Sequence, residues 1–287
     1  MNKLDEILFL WNLNQCFMGL SSNILWHQTN KDGLIKILKS RNFRFSYSKE
    51  KILDKKLFVA FPMISFCDLP FSEFTDYISK YGGYSIGMHK VWGYVNHFNP
   101  VWYCQTGSYV KRIMMDVMAN DLKPEDKATD VMVELLAYMK PNEGQLEVRE
   151  RKYLNYRFAD EREVRLVPPY AWLEEHDMAF MLSEEQYSKY KEEHKNSLLP
   201  IGVKYDWSDV KYIVVQNPKN VREIKDLLKK LGCDNDEIQI FSQGQIKEDF
   251  IGIEHDIVDT PSNNQRTATL QFYKKPLDLD KKFTLKA

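Results

Sequence analysis

The stretch "LWHQTNKDGLIKIL", Leu25–Leu38, governs how the rest of the chain is read. A short apolar run ends at His27, Thr29 follows, and Leu34, Ile35, Ile37 and Leu38 then return with helical spacing. The change of period predicts a strand over 23–27 and a helix over 31–40. On an alternating strand His27 shares a face with Leu25 and Asn23, while Trp26 points the other way. Two readings of His27 stay open at this point. It bonds a neighbouring backbone group, or it joins Thr29 in offering two hydrogen bonds to one ligand.

Composition narrows the class. With 287 residues, 44% of them hydrophobic, the chain can bury a sizeable core. A net charge of −1 argues against a strongly basic nucleic-acid binder or a polybasic membrane protein. The four cysteines are scattered, with no C-x-x-C pair, which argues against a zinc site or a redox motif. With no secretory signal read at the N-terminus, a cytoplasmic location is expected. Leu4, Ile7, Leu8 and Trp11 fall at helical spacing, so 3–18 reads as an amphipathic packing helix. No apolar run approaches the ~20 residues needed to span a bilayer, and no membrane association is expected. Neither G-x-G-x-x-G nor a P-loop occurs, which disfavours dinucleotide dehydrogenases and Walker-type ATPases.

Further along, "RNFRFSYSKEK" alternates at Phe43 and Phe45 and then reads as a charged loop. A strand is expected near 63–67, a helix over 71–80 capped by Asp68 or Ser72, and a strand at 84–88 entered through a Gly-Gly turn. Residues 100–103 read as a short strand. Two helices, about 104–120 and 126–140, form a helical insert, and Lys140 at the end of the second suits the helix dipole. Strands at 161–167 and 210–215, helices at 182–194 and 219–231, and a final strand "EIQIF" complete the pattern. The order predicts one mixed α+β domain over 1–253, with the insert around 104–140, and a polar C-terminal tail over 254–287.

Several segments carry residues suited to chemistry. In "YRFADEREVRLVPP" (156–169) a strand would put Glu161, Glu163 and Arg165 on one face, the two carboxylates roughly 7 Å apart. Such a run usually marks a solvated, salt-bridged edge. Placed in a pocket, one carboxylate would stabilise developing positive charge or accept a proton. In "FPMISFCDLP" Ser65 and Cys67 share a face, the thiol reading as buried and inert. In "YISKYGGYSIGMHK" Tyr81 and Tyr84 flank the glycines, where aromatics stack on a flat ligand or pack on the core. Ser85 and Gly87 leave room for a ligand or a crossing backbone. The basic, aromatic stretch 41–56 reads as a solvated loop or as a track for a nucleic-acid backbone.

Taken in order, "LWHQTNKDGLIKILKS", the segment 61–103, "MKPNEG" and "YRFADEREVRLVPP" resemble the AbiGi family of bacterial abortive phage-infection proteins over roughly residues 22–215. The resemblance implies phage defence, an antitoxin label, and a toxin or antitoxin partner encoded by an adjacent gene. A looser resemblance links H-x-T and its following helix to ADP-ribosyltransferase folds. It implies a split, mixed β-sheet core and NAD as co-substrate. His27 then matches the ribose-contacting histidine, with Thr29 beside it. Ser65 falls on the middle strand, Tyr81 and Tyr84 fall beside the nicotinamide, and Glu163 grips the ribose with Glu161 as its E-x-E partner. No tyrosine stands where the histidine–tyrosine–glutamate subgroup needs one. Two functions follow as expectations. One is a defence effector using NAD to modify a protein or nucleic acid. The other is a non-catalytic antitoxin, or a sensor of a phage component. They differ in whether His27 and Glu163 face a common cleft.

Overall fold

The architecture turns on one long strand shared between two sets of partners. The computed structural model describes residues 22–51, 58–71, 73, 78, 81–120, 127–148, 151–194 and 198–250. All of them belong to the first of two units, Met1–Gly252 and Ile253–Ala287. The expected helix over 3–18, the Ser72 cap and the tail over 254–287 lie outside the described residues.

In chain order the elements begin with β1 (Ile24–Thr29), α1 (Lys31–Ser40), β2 (Asn42–Lys51), β3 (Phe58–Cys67), β4 (Tyr84–His89) and α2 (Lys90–Val95). The middle of the chain holds β5 (Asn99–Pro100), β6 (Trp102–Cys104), α3 (Tyr109–Asn120), α4 (Lys127–Leu136), β7 (Met139–Pro141), β8 (Glu143–Val148), β9 (Arg151–Arg157) and β10 (Glu163–Leu166). The remainder is α5 (Tyr170–Glu175), β11 (Leu182–Ser183), α6 (Glu184–Glu193), β12 (Leu198–Lys204), β13 (Val210–Val215), α7 (Pro218–Lys230), β14 (Gln239–Ser242) and α8 (Gln243–Phe250).

Ten strands form the main sheet, in the order β12-β2-β3-β1-β4-β13-β14, with β10 and β11 also on β3 and β5 on β10. Its pairings are antiparallel except for the parallel β13–β14. The first half of β3 pairs with β2, from Phe58↔Lys51 to Met63↔Ser46, and with β11. The second half pairs with β10, from Leu166↔Ile64 to Glu163↔Cys67, and meets β1 at Trp26↔Cys67. Pro62 stands between the segments held by β11 and β10, where a strand best tolerates a missing N–H donor. This strand therefore starts at Phe58, earlier than the 63–67 expected.

Local signals explain the elements that were anticipated. Asn30 caps α1 by accepting from the Gly33 N–H, Leu34 and Leu38 are buried, and Arg41 ends the helix in the left-handed region. Asn217 caps α7, Pro218 follows at its first position, and Gly232 with φ 70° ends it. Three expectations need correction. The charged end of "RNFRFSYSKEK" continues β2 to Lys51, because alternation buries Phe43, Phe45 and Tyr47 and holds the strand against β3. The insert helices are shorter, 109–120 and 127–136, and Lys140 lies on β7 rather than at a helix end. Glu161 belongs to a 3₁₀ turn, Phe158–Glu161, and the strand begins only at Glu163 after Arg162 turns the chain at φ 44°. The β8–β9 hairpin, β12, α5 and α8 carried no clear period.

The sheet divides the core. One face carries Leu25, Phe66, Ile86 and Ile213 under Leu34 and Leu38 of α1. The other carries a smaller cluster that includes Ile24, Trp26, Cys67, Ile78, Val214 and Ile246. Gly87 serves this second cluster. A Cβ there would stand 2.8 Å from Trp26 Cζ3, and Trp26 stacks on Tyr212 at 5.7 Å between ring centroids. The space expected for a ligand at Gly87 is thus filled by Trp26.

Candidate functional site

Strand alternation sets the site. Residues paired across an antiparallel register share a face, so Glu163, Cys67 and Trp26 lie on one side of the sheet. Ser65 and Arg165 form the next pair on the same side. Onto this side β7 delivers Lys140, the 3₁₀ turn delivers Glu161, and Tyr81 stands at the end of the segment before the Gly-Gly turn.

Glu163 is buried at 6% exposure and its carboxylate has three hydrogen-bond donors. Ser65 Oγ and Arg165 Nε each donate to its Oε1 at 2.9 Å, and Arg165 Nη2 forms an ion pair with the same oxygen at 2.8 Å. Lys140 Nζ donates to its Oε2 at 2.7 Å. The same ammonium reaches Glu161 Oε2 at 2.8 Å, so one cation bridges both carboxylates. The Tyr81 hydroxyl donates to Glu161 Oε1 at 2.6 Å, and the Tyr156 hydroxyl also bonds Glu161. Arg165 is wholly buried and spends its remaining donors on the Ala137 carbonyl (2.7 Å) and Glu50 Oε1 (3.1 Å). The Glu163 backbone N–H donates to Tyr103 Oη at 2.7 Å.

The electrostatics follow from burial opposed by partners. Burial disfavours the Glu163 anion, yet Arg165 and Lys140 hold its carboxyl well below the usual range. Burial likewise opposes the Lys140 cation, and Glu163, Glu161 and Glu50 override it, keeping the ammonium charged. At Glu50 burial wins over Arg165 and Lys140, and the carboxyl is raised. Tyr81 and Tyr156 are raised by burial and then by the Glu161 charge, so both remain neutral donors. Lys140 stands between Glu161 and Glu163, and Arg165 between Glu163 and Glu50, so each cation faces two carboxyl groups. The arrangement holds the Glu163 and Lys140 charges in place.

His27 lies on the other side. Its ring donates from Nδ1 to the Ser65 carbonyl at 2.9 Å and packs between Phe43 and Phe66, at 5.2 and 5.3 Å between centroids. Burial lowers its pKa against that hydrogen bond, which favours the neutral ring. Thr29 and Tyr84 are register partners on this same face. The Tyr84 hydroxyl donates to Asn220 of α7 at 3.0 Å. The structure therefore brings Glu161, Glu163, Ser65 and Tyr81 together and leaves His27, Thr29 and Tyr84 on the opposite face. Four members of the cluster went unassigned from sequence: Glu50, Tyr103, Lys140 as a bridging cation, and Tyr156. Lys140 had a usable signal, because a residue before proline is pushed out of the helical region.

Two concavities lie elsewhere. One, of about 850 Å³, is lined in part by Arg41, His89, Trp92 and Asp206. The other, of about 440 Å³, is lined in part by Phe45, Pro168, Pro169, Trp172 and Ile201. Among the described residues no group of three His, Cys, Asp or Glu side chains is placed to hold a metal ion, and no helix is long and apolar enough to cross a membrane.

The fold and the site together define an α+β protein built on a largely antiparallel sheet and stapled by a buried ionic cluster. The chain belongs to the AbiGi family: residues 34–216, more than half of it, match the family model described as "Putative abortive phage resistance protein AbiGi, antitoxin". The matched span contains the ionic cluster from Glu50 to Arg165 and excludes His27. The chain is also similar to the abortive phage resistance protein AbiGi of Lactococcus lactis subsp. cremoris, at 26% identity over 209 residues, covering 64% of this chain and 82% of the relative. No solved structure matches.

Proposed function

We propose that this abortive phage resistance protein works as an antitoxin that binds a toxin partner, with no NAD chemistry of its own. The observation that carries this reading is the placement of Glu163. Its carboxylate is consumed by Ser65, Arg165 and Lys140, and it lies across the sheet from His27. A ribose held between the two would have to pass through β3. The antitoxin description of the family points the same way.

The transferase reading keeps one supporting observation, the gathering of Glu161 and Glu163 beside Tyr81 and Ser65. Expression of the chain alone and with its cognate toxin separates the two. The antitoxin reading expects normal growth and steady NAD from the chain alone, and rescue when both are expressed. Toxicity of the chain by itself, with NAD loss that Glu163→Gln abolishes, would overturn it in favour of the transferase.

A further inference from the structure

The concavity of about 440 Å³ is built by a break in the edge of the main sheet. From Leu198 to Gly202 strand β12 takes four steps, while its partner β2 takes two, from Ser46 to Arg44. The surplus arches Pro200 and Ile201 out of the ladder, and Pro200 has no N–H to lose there. Both residues border the concavity, and the turn Val167–Pro169 and Trp172 form another part of its wall. The two prolines fix the φ angles of that turn. The Val167 N–H donates to the Tyr138 hydroxyl at 3.2 Å, and the Tyr170 N–H donates to Glu134 Oε1 at 2.6 Å. Trp172 stacks on His176 at 3.9 Å between ring centroids. The wall is thus held in place before any ligand arrives, and the volume is that of a small-molecule site.

Charge selects the occupant. Among the described residues that border this concavity, the polar side chains are the Asn42 amide and Lys204, and Lys204 carries the only charge. Lys204 is exposed, and its ammonium has no hydrogen bond or ion pair with another described residue. It also borders the concavity of about 850 Å³, where the carboxylates are engaged: Asp206 with Arg41 at 3.7 Å, and Asp209 with the Asp206 N–H at 2.8 Å. An apolar recess with one free ammonium at its border repels a cation, and a neutral apolar molecule gains nothing from that ammonium. An apolar body ending in a carboxylate uses both the walls and the charge.

We propose that this concavity binds a small apolar monocarboxylate, with its apolar body between Trp172 and the Pro200–Ile201 arch and its carboxylate on Lys204. The site does not depend on the antitoxin reading. Calorimetry on the full-length chain tests it with octanoate, using octanol and octylammonium as the neutral and cationic counterparts. Octanoate is expected to bind at one site, about fivefold tighter than octanol, with octylammonium weakest. Lys204→Gln should bring octanoate down to the level of octanol, Lys204→Arg should restore the difference, and Trp172→Ala should weaken both. Arg41→Gln, in the neighbouring concavity, should leave octanoate within about twofold of wild type. Urea midpoints certify that the variants fold. Failure of the folded wild type to bind octanoate, or equal binding of octanoate and octanol, would overturn the proposal. So would octanoate binding that survives both Lys204→Gln and Trp172→Ala, or that Arg41→Gln alone removes. Sedimentation identifies the other occupant: a dimer that octanoate dissociates would assign the concavity to a second copy of the chain, again overturning the proposal.

Discussion

The two faces of the central sheet are built from neighbouring residues of the same strands and have opposite chemistry. On β3, Ser65 turns its hydroxyl to a buried carboxylate, while Phe66 turns its ring to His27 and the aromatic core. The Glu163 face is held by charges contributed from β2, β7, β10 and the 3₁₀ turn, so each ion pair also fixes the position of a remote segment. The His27 face is held by area and ring contacts that many apolar side chains would satisfy. Buried ions thus specify which segments meet, and the apolar face supplies bulk stability. Substitutions on the two sides should differ accordingly.

The largest loss is expected at Arg165. Arg165→Met leaves Glu163 and Glu50 buried without their shared cation, and the cost is about 3–5 kcal/mol in urea unfolding. A loss under about 1 kcal/mol would mean that the cluster is hydrated and does not staple the fold. Lys140→Met comes next, at about 2 kcal/mol. Glu161 keeps Tyr81 and Tyr156 as donors, and Glu163 keeps Ser65 and Arg165. Equal losses at Lys140 and Arg165 would show that bridging the carboxylates matters more than depth of burial. Gly87→Ala is expected to cost about 1–3 kcal/mol, because the added methyl collides with Trp26 on the face the cluster shares.

How much of this was legible in the sequence depends on how far each signal reaches. Helix α1 and strand β13 were marked by residues within their own spans: the helical spacing of Leu34, Ile35, Ile37 and Leu38, and a run of β-branched residues. Glu161 and Glu163 could be singled out because they stand two apart. Glu50, Lys140 and Tyr156 could not be joined to them, since they reach the cluster from strands whose pairing no local pattern encodes. The face of His27 was legible relative to Trp26 but not relative to Glu163, because that depends on the register Trp26↔Cys67↔Glu163 across three strands. A one-residue slip at either junction would have put histidine and glutamate on the same side.

The smallest predicted effect tests the His27 face through pH. The folded-state pKa of His27 lies below its ordinary 6.5, with burial as the cause. A depressed pKa contributes stability that is present above the unfolded value and is lost as pH falls through the folded one. Stability should therefore decline as pH drops below about 6.5, where the unfolded chain takes up the proton first. His89 is lowered for the same leading reason and adds to the decline. Glu50, with a raised pKa, works against it, because the folded state binds its proton before the unfolded chain does. Glu163 enters only below the usual carboxylate value of 4.5, since its pKa is depressed from there. Comparing wild type with His27→Gln isolates the histidine: glutamine keeps a donor for the Ser65 carbonyl and cannot titrate, while Glu50 and His89 are common to both chains. Urea midpoints between pH 7 and 5 should fall less steeply for His27→Gln. Parallel curves would show that His27 is protonated as readily in the folded protein as in the unfolded chain, and its face would then be wetter than its packing between Phe43 and Phe66 implies.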